Sequence, residues 1–221
     1  RATVGGPCPE QRMRPHALVL NRLVRTASLR VWCCLLLAPG PAPATAEGAL
    51  EEPLRLRVEA LRSGGDAQIA AGHAGARALI AGFFEARGFA PAWQDEARRR
   101  SLLQAIAGSA THGLDPNDYH AAALAVPWAQ GDADAQARQE LLLTDAFVRL
   151  AYHLRFGKAE PRRLQPSWNF PRTLGGVDPA AALARLLADP EPAAALERLA
   201  PNLQAYTGLR GVLAELRATQ R

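Results

Sequence analysis

The chain has 221 residues, a formal net charge of +5 and 48% hydrophobic residues, a length that allows one or two domains. Six of its 26 basic residues but only one of its 21 acidic residues precede position 47, so the charges balance over residues 47–221. Because a neutral body lacks the basic surface that holds nucleic acid, we expect no nucleic-acid partner.

Residues 1–46 have the pattern of a secretory signal peptide. Basic residues precede a short apolar run at 31–38, and Ala44-Thr45-Ala46 offers small residues for cleavage after Ala46. The apolar run is shorter than the roughly 20 residues that span a bilayer, so we expect a periplasmic protein without a stable membrane span. A disordered basic tail is the alternative. Met13 is the expected start, which would make residues 1–12 upstream translation.

The three cysteines, Cys8, Cys33 and Cys34, all precede the predicted cleavage site. Residues 47–221 therefore offer no disulfide, no thiolate zinc site and no cysteine nucleophile. The stability of this segment must come from its hydrophobic core, and a domain of this size buries about 70% of its unfolded surface.

Apolar residues recur every three or four positions along most of residues 47–221, which predicts a helix at each such run. A break at 63–66 ends the first helix, and Gly88 and Gly113 are placed to end the second and third. The apolar positions of these helices are Leu50, Leu54, Val58 and Leu61; Leu79, Ile80, Phe83 and Phe84; and Leu102, Leu103, Ile106 and Ala110.

Two Asp-Pro pairs, at Asp115 and Asp178, predict helix starts. The aspartate accepts hydrogen bonds from the first turn, and proline at the next position has no N–H to leave unpaired. The fifth helix is the longest and ends at Gly157. Its predicted spacing comprises Leu141, Leu142, Asp145, Val148, Tyr152 and Arg155.

The rest of the chain continues the helical pattern after a long Pro/Arg/Trp loop at 158–176. Short helices follow around Leu183 and Leu196, and a last helix repeats apolar residues at steps of three and four. That last seam comprises Tyr206, Leu209, Leu213 and Leu216. With little Val or Ile and no period-two alternation, we predict an all-α fold, an irregular bundle of about seven to eight helices. No stop signal precedes Arg221, so we expect truncation of the domain over 47–221.

Two polar clusters are candidates for chemistry, and both have a simpler interpretation. His112, Asp115, Asp118 and His120 lie close enough in sequence to suggest a metal site, but helix capping explains the aspartates and the spacing matches no standard ligand pattern. Thr144, Asp145 and His153 suggest a hydroxyl, acid and base, but His153 lies two turns from Asp145 and cannot reach Thr144. We therefore assign no catalytic, cofactor-binding or metal-binding residue.

The loop at 158–176 mixes cations with an aromatic residue, as glycan and nucleic-acid surfaces do. The residues concerned are Arg162, Arg163, Trp168 and Arg172. The favoured interpretation is a connection pinned into the core by Trp168 with its arginines in solvent. Trp93, which follows Pro91, is most simply a core anchor.

The order of these motifs resembles a known family. Phe83-Phe84-Glu85-Ala86-Arg87 with Phe89, Pro91 and Trp93, then Gly113-Leu114-Asp115-Pro116, are similar to the N-terminal scaffold domain of the large murein L,D-transpeptidases of Gram-negative bacteria. Leu143-Thr144-Asp145-Ala146-Phe147 and the Tyr206 and Leu209 pair continue the similarity, which covers about residues 50–220.

The resemblance implies a helical scaffold that precedes a peptidoglycan-binding module and a catalytic domain with a Ser-His-Gly-Cys nucleophile. This chain lacks that run, so we expect a non-catalytic scaffold region for cell-wall cross-linking or remodelling, whose partners are its own catalytic domain and peptidoglycan. We expect no cofactor. Two alternatives stay open, a self-contained periplasmic adaptor that binds peptidoglycan or a partner protein, and a helical hydrolase that works without cysteine.

Overall fold

The regular structure of the chain is helical throughout the residues that its computed structural model describes, which are 48–65, 74–165 and 178–220 together with Ile69, Ser167 and Arg172. This confirms the predicted all-α class, and six of the helices span seven residues or more. The predicted leader and Trp168 lie outside the described residues. The helices are α1 (Gly48–Arg62), α2 (Ala74–Ala86), α3 (Glu96–Gly108), α4 (Ala121–Leu124), α5 (Ala133–Phe156), α6 (Pro161–Leu164), α7 (Pro179–Ala188), α8 (Pro192–Glu197) and α9 (Gln204–Thr219). Two 3₁₀ turns, Ser109–His112 and Pro116–Tyr119, follow α3.

Helix α5 is the centre of the bundle. Every residue from 139 to 148 is buried, so the helix is covered on all sides over almost three turns. Helices α1, α2, α3, α4 and α8 all contact it. Because full burial of an aliphatic or aromatic side chain contributes roughly 1.5–3 kcal/mol, we expect α5 to contribute more to the stability of the fold than any other described helix.

The predicted apolar stripe of α1 is confirmed. Leu54, Val58 and Leu61 are completely buried and Leu50 almost so, and α1 packs against both α5 and α2. Outside this pair, α7 packs on α2 and α8 packs on α3. The short C-terminal helices thus cover the faces of α2 and α3.

Helix α2 ends as predicted near Gly88, but with an additional left-handed residue. Gly88 has a φ of 61° and Phe89 has a φ of 62°, a conformation that is uncommon for a residue with a side chain. The Phe89 N–H donates to the Phe84 carbonyl at 2.8 Å. The reversal directs residues 90–93 back across α5, where Trp93 is completely buried.

Both predicted Asp-Pro starts are confirmed as caps. Asp178 Oδ1 accepts the Ala181 N–H at 3.0 Å, and Asp115 Oδ1 accepts the Asn117 N–H at 2.9 Å. The element after Asp115 is nevertheless a four-residue 3₁₀ turn, because His120 takes a left-handed φ of 58° and separates it from α4.

One apolar residue and one helix are more exposed to solvent than the sequence pattern predicts. Leu103 on α3 is 37% exposed, whereas its neighbours Leu102 and Ile106 are buried. Helix α9 forms where the sequence predicts it, but none of its residues is buried. In the part of the chain that the structure describes, no helix combines the length and apolar character needed to cross a membrane.

Candidate functional site

The polar residues singled out on α5 belong to separate contacts. Thr144 donates to the Glu140 carbonyl at 2.8 Å and accepts the Trp93 indole N–H at 3.0 Å. His153 Nδ1 lies 2.9 Å from the Tyr119 hydroxyl. Asp145 binds His120 and Arg149, so the three residues do not form a nucleophile, acid and base arrangement.

Glu140 fastens the segment before α3 to the central helix. Its side chain is completely buried, and its two carboxyl oxygens accept the N–H groups of Ala92 and Trp93 at 2.8 and 3.0 Å. Burial raises the pKa of Glu140 to about 7, against the opposing effect of these two backbone donors and of Arg87 and Arg99. A buried acid therefore titrates near neutral pH inside the core.

This raised pKa predicts that Glu140 makes stability fall as pH rises. The pKa of Glu140 is about 7 in the folded chain, against the ordinary value of 4.5, so between these values the folded state holds more protons than the unfolded state. The free energy of unfolding should drop across this window by roughly 3 kcal/mol at most. We expect the Glu140→Gln variant to lose this slope in urea unfolding at pH 5 and pH 8. An equal fall in the free energy of unfolding from pH 5 to pH 8 in the native chain and in Glu140→Gln would contradict the prediction.

Asp145 is a completely buried carboxylate with two basic neighbours. Its Oδ2 atom accepts from His120 Nε2 at 2.6 Å and from Arg149 Nε at 2.7 Å. The His120 contact holds the residue whose left-handed backbone separates the 3₁₀ turn from α4. Asp145 is thus a structural charge that positions the 116–124 segment on α5.

His112 joins α9 to the body of the bundle. Its Nδ1 lies 2.8 Å from the Tyr206 hydroxyl and its Nε2 lies 2.9 Å from Glu197 Oε2. Burial lowers the pKa of His112 and outweighs the effect of Glu197, so the ring is neutral at pH 7. A neutral ring can donate from Nε2 to Glu197 and accept from Tyr206. Arg210 closes the contact by binding Glu197 at 2.7 Å.

The four residues proposed as metal ligands face different partners. Asp115 caps its own turn, Asp118 pairs with Lys158, and His120 pairs with Asp145. Asp115 caps the turn and Asp118 lies in its first turn, as the capping interpretation expects, and Asp118 also forms an ion pair with Lys158. Among the described residues, no three His, Cys, Asp or Glu side chains are grouped as metal ligands.

The prediction that the arginines of the long loop are solvated is wrong for Arg172. Its side chain is only 11% exposed and stacks over the rings of Tyr152 and Phe156. It donates to the carbonyl oxygens of Phe156, Gly157 and Ala159. Arg172 therefore closes the C-terminal end of α5, while Trp168 and the side chains of Arg162 and Arg163 lie outside the described residues.

A groove of about 660 Å³ lies between α3, α4 and the segment 125–130. We call it the α3–α4 groove and define it by Arg99, Leu103, Leu124, Val126 and Trp128. Neither Arg99 nor Trp128 belongs to a motif that predicts a functional role. The available signal was Val126-Pro127-Trp128, an apolar run outside any helical period.

A second exposed apolar surface lies on α9. Leu209, Val212 and Leu216 are 69%, 52% and 57% exposed and follow the i, i+3, i+7 spacing of one helix face. We call these three residues the α9 stripe. Tyr206 and Leu213, which face the bundle, are half-buried. The two surfaces, groove and stripe, are the candidate functional sites, and both suit docking better than catalysis.

Comparison with known proteins assigns the chain to a family. Its residues 78–213 match the family model described as Scaffold domain, and this match covers more than half of the chain and includes the groove, α5 and most of α9. No curated protein and no solved structure gives a significant match. The chain belongs to the Scaffold domain family.

Proposed function

We propose that this chain is the scaffold region of a peptidoglycan L,D-transpeptidase and acts in the periplasm during cell-wall cross-linking or remodelling. The proposal rests on one observation, the overlap between the family match and the motifs that carry the resemblance. The Scaffold domain match over residues 78–213 covers the Phe83–Trp93, Gly113–Pro116 and Leu143–Phe147 motifs that resemble this enzyme family. The leader before residue 47 is consistent with export.

The role of the region in this proposal is to position a catalytic domain. Acyl transfer through a thioester requires a thiolate, and the cysteines of this chain are confined to positions 8, 33 and 34. The buried helix α5 supplies a rigid body, and the α9 stripe supplies three exposed aliphatic side chains on one helix face. Exposed aliphatic side chains on one helix face are typical of docking surfaces.

The contacts of α9 support this arrangement. The helix is attached to the bundle through polar groups, since His112 binds Tyr206 and Arg210 binds both Glu197 and Thr111. The three aliphatic side chains of the α9 stripe stay exposed, whereas Leu213 faces the bundle and is half-buried. Burial of three such side chains contributes several kcal/mol. This free energy is enough for stable docking of two domains of one chain, because the link between them raises their effective concentration.

The docking role predicts that polar residues on the α9 stripe weaken binding to a purified L,D-transpeptidase catalytic domain. We expect the triple variant Leu209→Ser/Val212→Ser/Leu216→Ser to raise Kd at least about tenfold, since burial of each side chain contributes roughly 1 kcal/mol or more. Isothermal titration calorimetry measures the change. Leu56→Ser removes an equally exposed leucine from α1 (53% exposed) and should leave Kd unchanged.

Two results would count against this function. The first is equal binding by the native chain and the triple variant, with unchanged helical circular dichroism. The second is sedimentation of the chain with purified sacculi in the absence of any catalytic domain, which would favour a self-contained adaptor that binds peptidoglycan.

A further inference from the structure

The α3–α4 groove has apolar walls that open to solvent. Val126 is 56% exposed and Leu103 is 37% exposed, while Leu124 is buried and Trp128 half-buried beneath them. A volume of about 660 Å³ lies within the range of sites that hold a short peptide segment or a small ligand. Aliphatic side chains are the complement of such walls.

One cation at the groove, Arg99, is held rigidly and has donors to spare. Its guanidinium lies 4.3 Å from the centre of the Trp128 ring, a stacked arrangement. Its Nη1 donates at 2.6 Å to each of the carbonyl oxygens of Trp93 and Gln94. These bonds fix the side chain. Among the described residues, none accepts a hydrogen bond from Nη2 or Nε of Arg99, and no carboxylate lies within ion-pairing distance of it.

The neighbouring cation differs in this respect. Arg100 also lines the groove, but it is already paired with Glu96 one turn earlier on the same helix. Glu96, Asp95 and Glu140 act on Arg99 only from longer range, and burial lowers the pKa of Arg99 despite them. The groove therefore has one unpaired positive charge and one neutralised pair.

We propose that the α3–α4 groove binds an acidic, aliphatic peptide segment of a partner protein, with an Asp or Glu carboxylate on Arg99 and aliphatic side chains on Leu103 and Val126. A preorganised guanidinium with two free donors matches the geometry of a carboxylate. Because the groove is open, it suits a continuous segment better than a chain terminus. With a single unpaired cation, the groove has too little positive charge to hold a polyanion such as nucleic acid.

Binding of defined peptides to the full chain tests the proposal. The probe is a fluorescein-labelled hexapeptide of alternating leucine and glutamate with blocked termini, and its glutamine analogue is the neutral reference. We expect the glutamate peptide to bind at least about tenfold more tightly by fluorescence anisotropy, since hydrogen bonds to charged groups contribute about 1.5–3 kcal/mol. A glutamine peptide with a free terminal carboxylate separates a chain terminus from an acidic side chain.

Variants locate the site. Arg99→Gln should remove the preference for glutamate, whereas Arg100→Gln, which deletes the same charge from the adjacent position, should change the affinity less than about threefold because Arg100 is already paired. Val126→Glu adds a negative charge at an exposed position that the fold does not need. It should abolish binding of the glutamate peptide. This variant therefore tests the site even if Arg99→Gln destabilises the fold.

Three results would overturn the proposal: equal affinity for the glutamate and glutamine peptides, equal loss in Arg99→Gln and Arg100→Gln, or no binding of the glutamate peptide at millimolar concentration. Tighter binding of the peptide with the free terminus would replace the proposed ligand by a chain terminus. The inference is independent of the proposed enzyme family, because the α9 triple variant should bind these peptides like the native chain.

Discussion

Replacement of Trp93 by alanine should lower the free energy of unfolding by roughly 3–5 kcal/mol, the cost of a large cavity in a closed core. Trp93 is completely buried, and its ring lies 6.1 Å from that of Phe147 on α5. Its indole N–H donates to Thr144 and its backbone N–H to Glu140. The residue thus connects the 90–93 segment to the central helix through both packing and hydrogen bonds.

Urea unfolding followed by circular dichroism at 222 nm measures this effect. Trp93→Phe is the matched control, because phenylalanine restores most of the volume and loses only the indole hydrogen bond. Thr144 keeps its bond to the Glu140 carbonyl in that variant, so we expect a loss of about 1–2 kcal/mol. Similar losses for alanine and phenylalanine would show that packing around Trp93 contributes little.

Replacement of Asp145 by alanine should cost a comparable amount, roughly 3–5 kcal/mol, because it removes the buried carboxylate that two half-buried basic side chains bind. His120 and Arg149 both donate to the Oδ2 atom of this completely buried side chain. Loss of the carboxylate also releases His120, whose left-handed backbone is unfavourable for a residue with a Cβ atom.

Asp145→Asn separates charge from shape in the same unfolding experiment. The amide keeps the volume and one acceptor oxygen, so we expect a smaller loss than for alanine. Exchange of the backbone amides in 116–124, measured by mass spectrometry, should quicken in Asp145→Ala if the carboxylate positions that segment. A variant with unchanged stability and unchanged exchange would refute the assigned role.

The local signals in the sequence predicted most of the helix positions. Gly113 and Gly157 have positive φ angles of 76° and 80° at the ends of their elements, and Asp178 caps α7. The predictions from these features are confirmed because each feature depends on a few neighbouring residues. The apolar stripe of α1 and the long helix α5 could be predicted for the same reason, since a buried helix face repeats with the helical period.

The expectations that failed depend on contacts between distant residues. A seam of apolar residues predicts helix α9, but spacing cannot tell whether another element covers that seam. The 3₁₀ turn after Asp115 ends at His120 because Asp145, 25 positions later, binds its ring. Arg172 is buried because Tyr152 and Phe156 lie beneath it.

The candidate sites were the least predictable part. Glu140 lies 47 positions from the Trp93 N–H that it accepts, and a single acid in an apolar run does not reveal its partner. Arg99 stacks on Trp128 although two 3₁₀ turns and α4 separate them in the chain, and neither residue belongs to a motif. The named motifs instead supplied core residues such as Phe83, Phe84 and Trp93.

The polar attachment of α9 makes this helix a separate unit of cooperativity. No residue of α9 is buried, and its contact with the bundle is mainly to the 109–112 turn. Detachment of α9 would break the hydrogen bonds and the ion pair around His112 and expose the half-buried Tyr206 and Leu213. It would leave the α5 core intact, so we expect its opening free energy to lie below that of global unfolding. Such a helix can change its position relative to the bundle, and a partner that binds its aliphatic face would stabilise one of these positions.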